Sequence, residues 1–255
     1  MKSITLLAYA ALVLALPSVQ RRNPDYGLPA GARIIEVRPL KTKAHADRAL
    51  VLWMLRPKTN PREAADEIYS CPEETRGSHY SGPTRISLVD ASARRVINTV
   101  SIRQEYDEGV EDSFDIPYKI HKGYYHVGGV RRGSAEGKPS IMWLRDYNGD
   151  GRAHEFALFD ALACMGLATT LIGYSESRDE VIQYPVVLSR EEGGKRSTKT
   201  VHWIDYLFSR QPDAPGLWKY EIDYRGRGGS LDSYEIRYDR AGERFEGKLV
   251  VRWDE

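Results

Sequence analysis

The stretch Leu217-Trp-Lys-Tyr-Glu-Ile-Asp-Tyr224 alternates apolar and polar side chains at nearly every step. Successive side chains of a β-strand point to opposite faces of the sheet, so this alternation is typical of a strand with one buried face. The same period of two recurs in residues 233–238 and 245–253, and turn-forming segments at 225–230 and 239–243 separate the three runs. The end of the chain therefore predicts an antiparallel meander.

Further runs of this kind occur upstream. Segments 84–90 and 96–102 predict one hairpin with a solvated face, and segments 168–174 and 180–188 predict another. The run Ala49–Leu55 is continuously apolar and stops at Arg56-Pro57, which favours a strand buried on both faces, although its Ala, Leu and Met residues leave a helix open.

One segment has the sequence pattern of a helix N-terminus. Asn60 can cap, Pro61 suits the first helical position, and Glu63 can bond back to the cap, which together predict a short helix over Pro61–Tyr69. A short strand over 33–39 begins the folded part of the chain.

Three polar segments lack the alternation of apolar and polar residues that is typical of a strand. We interpret these segments as turns or solvated loops; they are residues 73–83, 105–115 and 191–200. The sequence thus predicts a mostly β fold with about ten to thirteen strands. An antiparallel meander would form a sandwich or a small irregular propeller with one or two short helices. A barrel stays open as an alternative.

A run of oxygen-bearing side chains lies between the strands. Calcium requires six to eight oxygen ligands, and a calcium loop supplies them at positions one, three, five and seven, with a Gly at six for a sharp turn. Asp146, Asn148, Asp150 and the backbone carbonyl of Arg152 occupy the four ligand positions, and Gly151 occupies position six. The alternative is an Asx-rich turn that binds nothing.

The second half of this loop departs from the EF-hand pattern. Position nine is His154 and position twelve is Ala157, where an EF-hand has a bidentate Glu. The nearest acid is Glu155 at position ten, which we expect to close the loop, with Asp160 or a more distant acid as the alternative. The entering segment 140–144 has the pattern of a strand, and the following segment 156–165 suits a strand or a helix.

The motif Asp-x-Asn-x-Asp-Gly between two apolar segments resembles the calcium loop of FG-GAP/VCBS-type repeats of the integrin-α class. The resemblance covers about twenty residues of the chain. It implies a loop joining two strands of a propeller blade, with calcium held by the following groups: Asp146, Asn148, Asp150 and the Arg152 carbonyl, with Glu155 in place of the usual acid at position nine. The chain holds one copy of the motif, which counts against a regular integrin-type propeller.

The N-terminal residues predict the compartment. One positive charge at Lys2, an apolar run from Ile4 to Leu16 and a break at Pro17-Ser18 are typical of a secretory signal peptide, which we place at residues 1–19. The run is too short for a membrane span, which needs about 20 apolar residues. We expect an exported protein (periplasmic, cell-envelope or extracellular), with an extended leader over 20–32 and a single all-β domain over 33–255.

The charge balance of the chain bears on its binding partners, and its cysteines bear on disulfide formation. The chain has 37 basic and 36 acidic residues, and this balance gives little attraction to nucleic acid or to an anionic membrane. Cys71 and Cys164 are the two cysteines, and export favours a disulfide between them. Two buried thiols that never meet remain the alternative.

Two functional hypotheses follow. The first is a secreted, non-enzymatic β-protein with a structural calcium ion, acting in binding or at the cell envelope; its 16 Tyr and 5 Trp suit contact with carbohydrate or protein. The second is a secreted hydrolase, such as a glycosidase that uses two carboxylates. Candidate acids are Glu105, Asp107, Glu111, Asp112, Asp205 and Asp223. No spacing assigns a catalytic residue, so enzymatic activity stays open.

Overall fold

The computed structural model describes residues 26–43, 45–61, 78–102, 104–106, 109–111, 113–119, 138–161 and 166–253. Strands make up 62% of the structure and helical residues 3%. The predicted mostly β, antiparallel architecture is confirmed. The described helices are two 3₁₀ turns, Leu207–Ser209 and Arg225–Arg227. None of the helices in these ranges has the length and apolar character needed to cross a membrane.

The described ranges contain seventeen strands, more than the sequence predicts. The strands are β1 (Ala32–Pro39), β2 (Arg48–Leu55), β3 (Lys58–Asn60), β4 (Ser78–Asp90), β5 (Arg95–Ser101), β6 (Gln104–Tyr106), β7 (Gly109–Glu111), β8 (Ser113–Lys119), β9 (Glu155–Ala161), β10 (Leu167–Ser175), β11 (Glu180–Gln183), β12 (Val186–Glu192), β13 (Lys195–Val201), β14 (Ile204–Asp205), β15 (Leu217–Asp223), β16 (Ser230–Asp239) and β17 (Arg244–Trp253).

The first sheet has the order β1-β2-β4-β3, and β5 and β8 also pair with β4. Strand β2 is buried on both faces, as its continuous apolar run predicts. Leu50, Leu52 and Met54 enter one core, while Val51 and Trp53 enter a second cluster on the other face. The predicted hairpin of 84–90 with 96–102 is the pair β4–β5.

The second sheet has the order β11-β10-β14, with β9 also paired to β10. Its side chains feed two separate cores. Phe156 and Ile172 pack in the core shared with the first sheet, whereas Ala157 and Leu171 pack in the core shared with the third sheet. Because neighbouring side chains of a strand face opposite ways, this sheet lies between the other two. The ambiguous segment 156–165 is strand as far as Ala161.

The third sheet has the order β13-β12-β17-β16-β15. Strands β15, β16 and β17 form the predicted C-terminal meander through antiparallel pairs. The pair β12–β17 is parallel, which is a local exception to the antiparallel pattern. The chain passes from the second sheet to the third at Tyr184-Pro185, between β11 and β12.

Four local predictions are wrong. Residues 78–83 are strand, because β3 and β8 flank this part of β4 and satisfy its backbone. Segment 105–115 contains β6, β7 and the start of β8. Segment 191–200 continues the hairpin β12–β13, whose second strand is polar because it is an exposed sheet edge. Segment 140–144 is not a strand.

The amides of segment 140–144 have a different partner. The Glu36 carboxylate accepts hydrogen bonds from the backbone N–H groups of Ile141 (2.6 Å) and Met142 (3.2 Å). A side chain therefore replaces the neighbouring strand that would otherwise satisfy these buried donors.

Several predictions fall outside the described residues. They are the signal peptide over 1–19, the helix beyond Pro61, and Cys71 with Cys164. Within the segment 20–32, Tyr26 is buried and packs in the cluster that contains Trp53.

Candidate metal loop and the adjoining cleft

The segment 146–154, which we call the Asx loop, connects the irregular segment 138–145 to strand β9. Its two ends are held together by a backbone bridge. The Arg145 N–H donates to the Glu155 carbonyl (2.7 Å), and the Glu155 N–H donates to the Arg145 carbonyl (3.2 Å). The loop is thus entered neither from a helix nor from a regular strand.

The Asp146 carboxylate organises the turn. Its Oδ1 accepts hydrogen bonds from the N–H groups of Gly149 (2.7 Å) and Asp150 (3.1 Å), and its Oδ2 accepts one from Gly151 (2.9 Å). An ionised carboxylate offers about four lone-pair sites. Asp146 therefore shapes the loop and still has acceptor capacity for an ion.

The side chains of Asn148 and Asp150 also accept hydrogen bonds from backbone N–H groups of the loop, one each. The Asn148 Oδ1 accepts a hydrogen bond from the Asp150 N–H (2.9 Å), and the Asp150 Oδ1 accepts one from the Arg152 N–H (2.8 Å). These are Asx turns, in which a side-chain oxygen binds the backbone two residues further on. The three side chains of positions one, three and five thus curl around one turn of backbone.

Glu155 closes the inner side of the loop. It is fully buried, and its carboxylate accepts hydrogen bonds from the Tyr147 N–H (3.1 Å) and from the Asn148 Nδ2 (3.0 Å). Burial is the main cause that raises the pKa of Glu155 to about 9, and the negative charges of Asp150 and Asp146 raise it further. A buried acid next to two exposed acids is therefore at the centre of this loop.

His154, at position nine, turns away from the loop. Its Nε2 lies 3.0 Å from the Lys41 carbonyl oxygen, and its ring packs edge-on against Tyr174. The Arg152 side chain also points elsewhere, because its guanidinium pairs with the Glu176 carboxylate. Glu155, the acid expected to close the loop, faces it instead, because its carboxylate binds the Tyr147 N–H and the Asn148 Nδ2.

The Asx loop is wedged against the turn before β15. A Cβ on Gly149, which has a φ of +76°, would lie 2.7 Å from the Pro215 carbonyl carbon. A Cβ on Gly216, with a φ of +68°, would lie 2.8 Å from the Asn148 carbonyl oxygen. On the other side, a Cβ on Gly173 would lie 2.8 Å from the Cγ of Glu155. Three glycines therefore let neighbouring backbones approach the loop.

The donor set of the loop consists of oxygens, which suits calcium. As the side chains lie here, no group of three or more His, Cys, Asp or Glu residues in the described ranges is arranged to hold a metal ion. The carboxylates of the loop bind its own amides instead. Ion binding would use the remaining lone pairs and would require Glu155 to lose its proton, since a metal-bound carboxylate is ionised.

A cleft of about 350 Å³ adjoins the loop. Its walls come from four places in the chain: residues 148–152 of the loop, residues 174–177 at the β10–β11 turn, Tyr184, and residues 238–243 at the β16–β17 turn. The turns themselves are predicted from the sequence. Their convergence depends on how the second and third sheets pack, so no sequence signal could have located the cleft.

Ion pairs and hydrogen bonds tie these walls together. The Glu243 carboxylate accepts hydrogen bonds from the hydroxyls of Ser175 (2.6 Å) and Ser177 (3.0 Å) and pairs with Arg178 (2.8 Å). The Arg152–Glu176 pair joins the Asx loop to the β10–β11 turn. The cleft is therefore held in shape by contacts between three separate segments.

Two polar groups of the cleft have unused capacity. The Oε1 atom of Glu176 is buried and has no hydrogen-bond partner within the described residues. Leaving a buried acceptor unpaired costs about 1–3 kcal/mol. Burial raises the pKa of Tyr238 to about 12, and its hydroxyl, which has no hydrogen-bond partner among the described residues, can donate. The Tyr174 hydroxyl already donates to the Asp179 carboxylate (2.9 Å).

Two of the six acids considered for hydrolysis have described side chains, and both lie outside the cleft. Asp205 is mostly buried near Tyr224, and this burial raises its pKa. Asp223 is exposed, and hydrogen bonds from Arg225 lower its pKa to about 2. Neither lines the cleft. The side chains of Glu105, Asp107, Glu111 and Asp112 are outside the described part of the chain.

Comparison with known proteins gives no relative: no protein-family model, curated protein or solved structure matches this chain.

Proposed function

We propose that the chain is an exported, non-enzymatic β-protein that acts in binding and in which a structural calcium ion braces the Asx loop. The observation that carries this proposal is the position of Glu155, whose buried carboxylate lies beside Asp146 and Asp150. A divalent cation among three carboxylates would offset their mutual repulsion and the cost of burying one of them.

The proposed ligands are the side-chain oxygens of Asp146, Asn148, Asp150 and Glu155 and the backbone carbonyl of Arg152. The role of the ion is structural, because the loop is wedged between β9 and the turn at Gly216. Sites in extracellular modules bind calcium with dissociation constants of about 10⁻⁴–10⁻³ M. An affinity in this range would keep the site occupied outside the cell.

Thermal melting with calcium and with a chelator tests this proposal. At a calcium concentration of about 100 times the dissociation constant, binding adds about 2.7 kcal/mol to the free energy of unfolding. For a chain of this size we expect the melting temperature to rise by about 5–10 °C. Asp146→Asn should lose most of this rise.

Glu235→Gln is a matched control, because Glu235 is an exposed acid on β16 that pairs with Lys219 and is not one of the proposed ligands. Its calcium response should equal that of the wild type. The wild-type protein is melted in chelator and in calcium well above the millimolar dissociation constants of extracellular sites. The same melting temperature in both conditions would show that the loop holds no calcium.

A carboxylate-dependent hydrolase is the second candidate, and one observation favours it: Glu176 and Glu243 line the same cleft. Against it, each carboxylate is already paired with an arginine, Arg152 and Arg178 respectively. Incubation of the protein with a panel of chromogenic glycosides separates the two functions. Turnover that Glu243→Gln abolishes would favour the hydrolase, and the binding function predicts no turnover.

A further inference from the structure

We propose that the cleft between the Asx loop and the two turns is a binding site for a neutral, hydroxyl-rich saccharide. This inference rests on the binding role proposed above, and it does not require the calcium ion. The cleft has a volume of about 350 Å³, within the range of small-molecule sites. A site of this size accommodates one or two sugar rings.

The charges of the cleft indicate a neutral ligand. Its walls carry the carboxylates of Asp150, Glu176 and Glu243 and the guanidinium groups of Arg152 and Arg240. Arg178 adds a third positive charge beside Glu243. Because the positive and negative charges balance, a ligand with a strong net charge would meet both attraction and repulsion.

The hydrogen-bonding groups indicate hydroxyls. A sugar hydroxyl both donates and accepts, and the cleft offers both kinds of partner. The Glu176 carboxylate lines the cleft and can accept a hydrogen bond from a sugar hydroxyl. The exposed Arg240 guanidinium, for which the described residues provide no ion pair, can donate to a hydroxyl oxygen.

The tyrosines provide the apolar part of the site. Tyr174, Tyr184 and Tyr238 line the cleft. Tyr174 and Tyr184 are buried, and Tyr238 is the most exposed of the three. A tyrosine presents an apolar body and a polar tip, which matches the C–H faces and the hydroxyl rim of a sugar ring. Tyr184 and Tyr238 pack edge-on against each other with ring centroids 6.0 Å apart, which fixes both rings.

The walls are also arranged before a ligand arrives. Glu243 is held by Ser175, Ser177 and Arg178, and Glu176 is held by Arg152. Fixing side chains in advance lowers the entropy lost on binding. A weakly apolar ligand such as a sugar depends on this saving, because it buries little hydrophobic surface.

The test uses the full chain on a printed array that holds neutral oligosaccharides beside sialylated and sulphated ones. Isothermal titration with the neutral oligosaccharide that binds best then gives the dissociation constant. Arg240→Ala and Glu176→Gln should each weaken binding by about tenfold, the loss typical of a hydrogen bond to a charged group. Arg237→Ala is the control, because Arg237 is an exposed arginine on β16, the strand that leads into the turn of Arg240, and does not line the cleft.

Each outcome has one meaning. Binding of a neutral oligosaccharide that both cleft variants weaken and the control preserves supports the proposal. Retention of no oligosaccharide, retention of acidic ones alone, or binding that neither variant weakens overturns it. Melting with calcium and chelator is measured on the same samples, so the absence of a calcium response would end the calcium proposal without affecting the result for the cleft.

Discussion

The Asx loop and the cleft beside it satisfy their polar groups in different ways. In the loop, the carboxylates of Asp146 and Asp150 bind amides two to five residues further along the chain. In the cleft, Glu243 binds side chains of Ser175 and Arg178, which are more than sixty residues away. The loop is a local structure, whereas the cleft exists only after the sheets have packed.

This difference affects how each region responds to change. A loop that supplies its own hydrogen bonds is sensitive to backbone conformation and to the protonation of its one buried acid. A cleft held by partly exposed ion pairs loses little stability when one pair is removed, because such pairs contribute about 0–1 kcal/mol each. We therefore expect large effects on stability from the loop and small ones from the cleft.

The largest expected effect concerns pH. Glu155 has a pKa of about 9 in the folded protein and about 4.5 when unfolded, so between these values the folded state binds more protons. The stabilising contribution is complete below pH 4.5 and is lost as pH rises through 9. In chelator, the free energy of unfolding should fall by about 1.4 kcal/mol for each pH unit in this window.

Denaturant unfolding at a series of pH values measures this slope, with Glu155→Gln as the reference. The variant removes the contribution of Glu155 and keeps that of Asp205, whose pKa is also raised by burial. The difference between the two profiles thus isolates one carboxyl group. Parallel profiles for wild type and variant would contradict a proton held by Glu155.

A matched pair of glycines gives the next effect. Gly149 and Gly151 both have positive φ, +76° and +88°, but a Cβ on Gly149 would overlap the backbone of Pro215, whereas a Cβ on Gly151 meets open space. Gly151→Ala should cost about 1–2 kcal/mol for its left-handed backbone alone. Gly149→Ala should cost about 1–3 kcal/mol more, because the turn must move.

Chemical denaturation of both variants in chelator measures this difference. Equal losses at the two positions would mean that the loop is not wedged against the turn before β15. The same pair can be compared in calcium, where Gly151→Ala should keep a calcium response, since its side chain would point into open space.

The sequence predicted the parts of the molecule that depend on local pattern. The period of two in β15–β17, the doubly buried β2 and the oxygen spacing from Asp146 to Asp150 are all readable within ten residues or so of one another. Strand β13 was missed because an exposed edge strand carries no apolar rhythm. Segment 140–144 was misread as a strand because its apolar residues pack in the core although their amides bind Glu36.

The remaining features depend on contacts between distant segments, which no local pattern encodes. The two cores on either side of the middle sheet arise from pairing β9 and β10 between two other sheets. Gly216 and Pro215 approach the Asx loop from about sixty residues away. The sequence shows where the glycines are, but it does not show which distant residues approach them and make glycine necessary.

The smallest expected effect concerns Arg152, which takes part in both regions. The backbone carbonyl of Arg152 is a proposed calcium ligand, and its guanidinium pairs with Glu176 in the cleft. Arg152→Gln removes only the second role. Both side chains are about one quarter exposed, at 28% each, so the loss of stability should stay below about 1 kcal/mol. The rise in melting temperature with calcium should persist, because the carbonyl remains, whereas saccharide binding should weaken because Glu176 loses its fixed position.

Arg196→Gln, at an exposed pair with Glu191 on the outer hairpin, provides the baseline for losing a surface ion pair. If Arg152→Gln abolished the calcium response, the guanidinium rather than the carbonyl would be the group that supports the site, and the loop and the cleft would have to be treated as one unit.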